Sequence, residues 1–166
     1  MRYWLVAVCF LCSPALVAGE PRSAGRHEHG SATLGIALEG ESLVIEIDGP
    51  AGNFTGFEQK PANEQQKQEL ARVLNVLRNG TALFLMPPGA QCRLQSAAVS
   101  PPDYGADGHA DLEAFWEFRC GSPAALTWVE AKVFAAFPGT EKLATSVVTA
   151  AGQKAVVLAP CTTRVL

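Results

Sequence analysis

In SLVIEIDGP, residues 42–50, apolar Leu43, Ile45 and Ile47 alternate with Val44, Glu46 and Asp48. A period of two marks a strand with one buried face. ATLGIALEG, residues 32–40, precedes it across a short EGES turn, so the two segments read as a hairpin. AGNFTGFEQK (51–60) is rich in turn residues. The period then changes. Leu70, Val73, Leu74 and Leu77 fall on one helical stripe. Pro61 leads into this helix, Asn63 is placed to cap it, and Gln66 stands at the capping-box position three residues on. Gly80 stops it.

The rest of the chain returns to strands. One is expected around 91–99 and another in HADLEAFWEFRC (109–120), where Leu112, Ala114, Trp116 and Phe118 alternate with polar neighbours. Placing Cys92 opposite Cys120 makes facing residue numbers sum to 212 and sets His109 opposite Asp103 across the loop mouth. LTWVEAKVF (126–134) reads as a further strand, then a turn at FPGT (137–140), then a hairpin of KLATSVVT and KAVVLAP around AAGQ. Trp116, Phe118, Trp128, Phe134 and Phe137 are expected core aromatics. The fold class is α+β: mostly antiparallel strands, a sandwich-like sheet built from hairpins, with one long amphipathic helix.

The chain opens with a short basic n-region at Arg2 and an apolar stretch from Trp4 to Leu16. That is the length of a secretory leader and short of the about 18 apolar residues a membrane span needs. Val17-Ala18-Gly19 suits a signal peptidase. The expected organisation is a signal peptide over 1–19, an N-terminal arm over 20–30, and a single β-rich domain over 31–166, with no membrane span after cleavage. Cleavage removes Arg2 and leaves 12 basic residues against 16 acidic. That balance argues against nucleic acid and anionic membranes as partners, since both require basic patches.

Three cysteines follow the leader: Cys92, Cys120 and Cys161. In an exported chain a pair is expected as a disulfide, and the register above selects Cys92–Cys120, with Cys161 left over. The closed loop of about 28 residues is worth roughly 3 kcal/mol in the chain-entropy model. No C-x-x-C is present, which removes zinc ribbons, thioredoxin-type centres and c-type haem attachment. GxSxG is absent as well, and no general base is identifiable, so no reaction is expected.

The candidate chemistry lies in three histidines, His27, His29 and His109. In extended chain, residues i and i+2 share a side, so His27 and His29 can converge on one ion. Zinc takes neutral imidazole nitrogens and usually four donors. The hairpin returns the segment after Asp48 to the segment before Ala32, which carries Glu58 toward HEHG. His109 opens its own strand as HEHG opens the first. If both strand starts share an end of the sheet, the histidines and an acid close a shell. The acid candidates are Glu58, Asp111 and Glu28. The plain reading beside this is a solvated arm with incidental histidines.

HEHGSATLGIALEGESLVIEIDGPAGNFTGFEQKP resembles the opening of the ZrgA-type zinc uptake proteins, small bacterial periplasmic proteins whose openings carry HEHG, a hairpin and a GFEH stretch. ALFLMPPGAQC, GHADLEAFWEFRC and VFAAFPGTEKLATSVVTAAGQKAVVL are similar to later parts of the same family, so the resemblance covers about residues 27–160. It implies a periplasmic, non-catalytic zinc-binding protein that assists zinc acquisition and works beside a component of an ABC-type importer. His27, His29, His109 and Glu58 match its motifs. Two departures stand out: Gln59 replaces the histidine of GFEH, and PPDYGADG lacks the His-rich tract common there. Copper is the alternative ion, because nitrogen donors suit Cu(II) and the affinity order favours it. The rival reading is a secreted β-rich interaction or structural module whose metal site is vestigial or absent.

Overall fold

In the computed structural model, residues 29–105 and 109–166 are described. Strands β1 (Ser31–Glu39) and β2 (Ser42–Pro50) form the first hairpin. Helices α1 (Ala51–Thr55), α2 (Glu64–Arg78) and α3 (Gly80–Leu83) follow, with a short β3 (Phe84–Leu85). Next come β4 (Cys92–Ser100), β5 (Asp111–Cys120) and β6 (Val129–Ala131). Helix α4 (Val133–Ala136), β7 (Lys142–Thr149), β8 (Gly152–Leu158) and β9 (Arg164–Val165) complete the order.

Among the described residues, six strands form one sheet in the order β4-β5-β2-β1-β7-β8, and β3-β6-β9 form a small second sheet. The large sheet is mixed. β1 pairs antiparallel with β2 but parallel with β7, Ser31 opposite Lys142. A parallel partner needs a long crossover, and everything between Glu39 and Lys142 supplies it. Local alternation cannot signal such a pairing.

One face of the large sheet is the core. Leu34, Ile36, Leu43, Ile45, Ile47, Leu112, Trp116, Phe118, Leu143 and Val147 are buried on it. Helix α2 packs Val73 and Leu77 into the same core, while Leu70 and Leu74 are partly exposed. Its start carries the expected Asn63 cap, whose side chain accepts from the Gln66 N–H at 2.9 Å; the Gln66 side chain reaches one residue past the capping-box partner and accepts from the Ala62 N–H at 2.8 Å. The buried Trp116 indole N–H donates to the Leu77 carbonyl at 2.7 Å and meets Phe84 edge-on at 4.9 Å.

The opposite face is open, with Thr33, Glu46, Glu113 and Phe115 exposed. The core face is covered by helix α2 and by the small sheet, whose Phe84 meets Trp116, and a second full-width sheet, as in the expected sandwich, is not shown among the described residues.

Three further expectations change. Residues 126–134 are not one strand: pairing ends at Ala131, and Val133–Ala136 turns into a helix. Trp128 is half-buried, outside the core, with the Arg164 guanidinium 4.5 Å from its ring centroid. Cys92 does pair with Cys120 as a disulfide, and facing numbers sum to 212 through Leu94↔Phe118. A bulge between Leu94 and Ser96 then shifts the sum to 213, and pairing ends at Ser100↔Glu113. His109 and Asp103 are consequently not a facing pair, because one inserted residue moves every later partner by one. Cys161 is a free, exposed thiol. No described helix is long and apolar enough to cross a membrane. The expected leader and His27 lie outside the described residues.

Candidate metal centre

β1 and β5 both run antiparallel to β2, so both start at the end of the sheet where β2 finishes. Thr33 stands opposite Asp48, and Pro50 stands opposite Asp111. The turn carrying His29, the segment after Pro50 and the entry at His109 therefore meet at one sheet end. Topology alone brings together positions eighty residues apart.

Helix α1 makes the meeting specific. Its Ala51 N–H donates to the Ala110 carbonyl at 2.8 Å, which ties its first residue to the chain beside His109. Gly56, at φ 80°, ends the helix in the left-handed region where only glycine is unstrained. The Thr55 hydroxyl lies 2.9 Å from the Ala51 carbonyl and 2.7 Å from the Phe57 carbonyl, which fixes the turn after the helix. Glu58 then folds back against α1. A Cβ on Gly52 would stand 2.8 Å from the Glu58 Cγ, so the bare backbone there is what admits the side chain.

On the other side, Gly30 takes φ 76°. Its N–H donates to the Asn53 Oδ1 at 2.8 Å, and its carbonyl accepts from the N–H groups of Glu141 and Lys142 at 2.7 and 2.9 Å. The Asn53 Nδ2 donates to the Ser31 carbonyl at 2.8 Å.

Between these holds, the Glu58 carboxylate faces both described histidines. Its Oε1 is 2.8 Å from the His29 Nδ1, and its Oε2 is 3.6 Å from the His109 Nδ1. The first is a close ion-pair contact; the second is too long for a hydrogen bond. The His29 side chain is 79% exposed, His109 49% and Glu58 33%, so the group opens to solvent.

Two imidazoles and a carboxylate are a donor set that zinc accepts. Bonds of about 2.0–2.1 Å in a tetrahedral shell put neighbouring donors about 3.3 Å apart. The two separations bracket that value. Among the described residues, however, no three His, Cys, Asp or Glu side chains already form a metal cage. The carboxylate lies between the imidazoles, where an ion would have to enter. Asp111 is exposed at the first position of β5, across from Pro50. Gln59, next to Glu58, is exposed. His27 and Glu28 lie outside the described residues.

Asn53 and Gly52 were not foreseen from the sequence. Both sit in a segment expected to be a turn, and five residues are too few to show a helical period. An Asn and a Gly just after a strand end, close before the candidate acid, were the available signal.

The model of the family described as ZrgA family zinc uptake protein matches residues 26–166. No curated protein matches the chain.

Proposed function

The chain belongs to the ZrgA family of zinc uptake proteins, and on that premise we propose that it captures zinc after export and passes it to the uptake machinery. The observation that carries this reading is the Glu58 carboxylate set between His29 and His109. In the proposal these three side chains are donors to the cargo ion, with His27 and Asp111 as the remaining candidates. Side chains this exposed suit an ion that must be taken up and released. Structural zinc sites, by contrast, are closed by four protein ligands. The Cys92–Cys120 disulfide supports an oxidising compartment, which in this reading is the periplasm. The receiving partner is a component of a zinc importer of the ABC type. No reaction is assigned to the chain, and copper is the competing cargo.

Thermal melting of metal-stripped protein tests the proposal. Zinc at about 100 times its dissociation constant stabilises a folded binder by about 2.7 kcal/mol, roughly 5–10 °C for a domain of this size. The wild type is expected to show that shift and a His29→Ala/His109→Ala variant to lose it. The rival is an interaction module that docks through its sheet, and it draws on the exposed Phe115, Val148 and Val157. A melting temperature indifferent to zinc in both proteins would favour it.

A further inference from the structure

The turn that carries His29 is gripped from several directions, and Asn53 joins the grips. Asn53 is 5% exposed, and both ends of its carboxamide are used. Oδ1 accepts from the Gly30 N–H, and Nδ2 donates to the Ser31 carbonyl, each at 2.8 Å. These contacts reach across 23 and 22 residues to the two positions that follow His29. The main chain of Asn53 is enclosed too. A Cβ on Gly139 would lie 2.7 Å from the Asn53 carbonyl, and the Thr140 hydroxyl is 3.5 Å from it. The same 140–142 segment supplies the two N–H groups that hold the Gly30 carbonyl.

Asn53 also lies within the five-residue helix that places the other two donors. Ala51, at one end of that helix, is bonded to Ala110 beside His109, and the turn at its other end delivers Glu58. One short element thus registers His109 and Glu58, and the Asn53 side chain ties the His29 turn to it.

We propose that Asn53 is a positioning residue of the zinc site, holding the His29 turn against α1 so that His29 and Glu58 present their donors to the same ion. The proposal rests on the reading of His29, Glu58 and His109 as zinc donors. The chemistry requires a short carboxamide. An aspartate would lack the donor for Ser31, and an alanine would leave a buried N–H and a carbonyl unpaired. Orientation of this kind acts through the side chain that binds the metal, and removing such a support typically costs about 10–100-fold in metal affinity.

A double-mutant cycle separates positioning from plain structural support. Asn53→Ala is expected to weaken zinc binding about 10-fold or more in the otherwise native chain and less than about 2-fold in a His29→Ala background. Equal losses in both backgrounds, or no loss in either, would overturn the proposal. Asn53→Ser, whose hydroxyl can still accept from Gly30, repeats the cycle if the alanine variant does not fold. A second arm uses metal-free protein and imidazole ¹⁵N shifts. Glu58→Gln should move the His29 ring nitrogens when Asn53 is present and leave them unmoved when it is replaced. An identical response in both contexts overturns the positioning role. A native chain that binds no zinc overturns the zinc reading, and the metal-free arm then decides the role of Asn53 by itself. The same arm decides where His29→Ala leaves no binding to compare.

Discussion

The Nδ1 of His29 lies 2.8 Å from the Oε1 of Glu58, a contact made by residues that flank the β1–β2 hairpin in sequence, one before β1 and one after β2. The hairpin closes it: Thr33 faces Asp48, so the chain entering β1 must meet the chain leaving β2. Replacing Glu58 by Gln keeps the shape and removes the charge. Zinc affinity is expected to fall about 10–100-fold, by analogy with losses at supporting residues. Stability of the metal-free protein should change by less than about 1 kcal/mol, because exposed ion pairs contribute little. Competition against a chromogenic chelator reads the first quantity, and denaturant melting reads the second.

Gly80 meets Trp116 more closely than any side chain would allow. A Cβ there would overlap the indole ring, whose N–H is committed to the Leu77 carbonyl. Gly80→Ala is expected to cost about 1–3 kcal/mol through overpacking. A lowered denaturation midpoint with an unchanged zinc affinity is the expected pair of results, since Gly80 packs on α2 and the core.

Glu130 is buried in the small sheet, and its carboxylate is bonded by Lys132 and, at 2.8 Å, by Arg164. The hydrogen bond from Lys132, then that from Arg164, holds its carboxyl below the usual carboxylate range. A depressed value means the charged form is favoured by folding. The resulting stability is present above the ordinary carboxylate value of about 4.3 and is lost as pH falls through the lower folded value. Glu130→Gln should therefore lower stability at neutral pH and flatten its decline between about pH 5 and pH 2. Urea midpoints across that range, native against variant, check it.

The disulfide between Cys92 and Cys120 joins positions 28 residues apart. Replacing both cysteines by serine is expected to remove roughly 3 kcal/mol by loosening the constraint on the unfolded chain. The site lies at the end of the sheet where β5 begins, and Cys120 is at the other end of that strand. Zinc affinity of the folded variant should therefore stay within about 2-fold, whereas losing an orienting support costs tenfold or more.

What could be read in the residues alone was whatever local chemistry specifies. The hairpin of β1 and β2, the Asn63–Gln66 cap of α2 and the Cys92–Cys120 pairing all come from neighbours in sequence or from one strand facing the next. The parallel pairing of β1 with β7 did not, because it depends on what the rest of the chain leaves uncovered. The bulge at Leu94/Ser96 escaped for a related reason: nothing in RLQSA marks the extra residue. Helices α1 and α4 have five and four residues, too short to show a period against turn-rich or apolar surroundings. At the site, Glu58 and His109 were reachable from hairpin logic. Asn53 was not, because its role lies in hydrogen bonds to a segment more than twenty residues away.

The measurement that bears most directly on the zinc reading is a titration of metal-stripped protein by calorimetry and native mass spectrometry. A His27→Ala/His29→Ala/His109→Ala variant is run alongside. One tightly held zinc in the native chain, absent from the variant, is the expected result. No binding, or equally weak binding in both, would contradict capture at His29, Glu58 and His109.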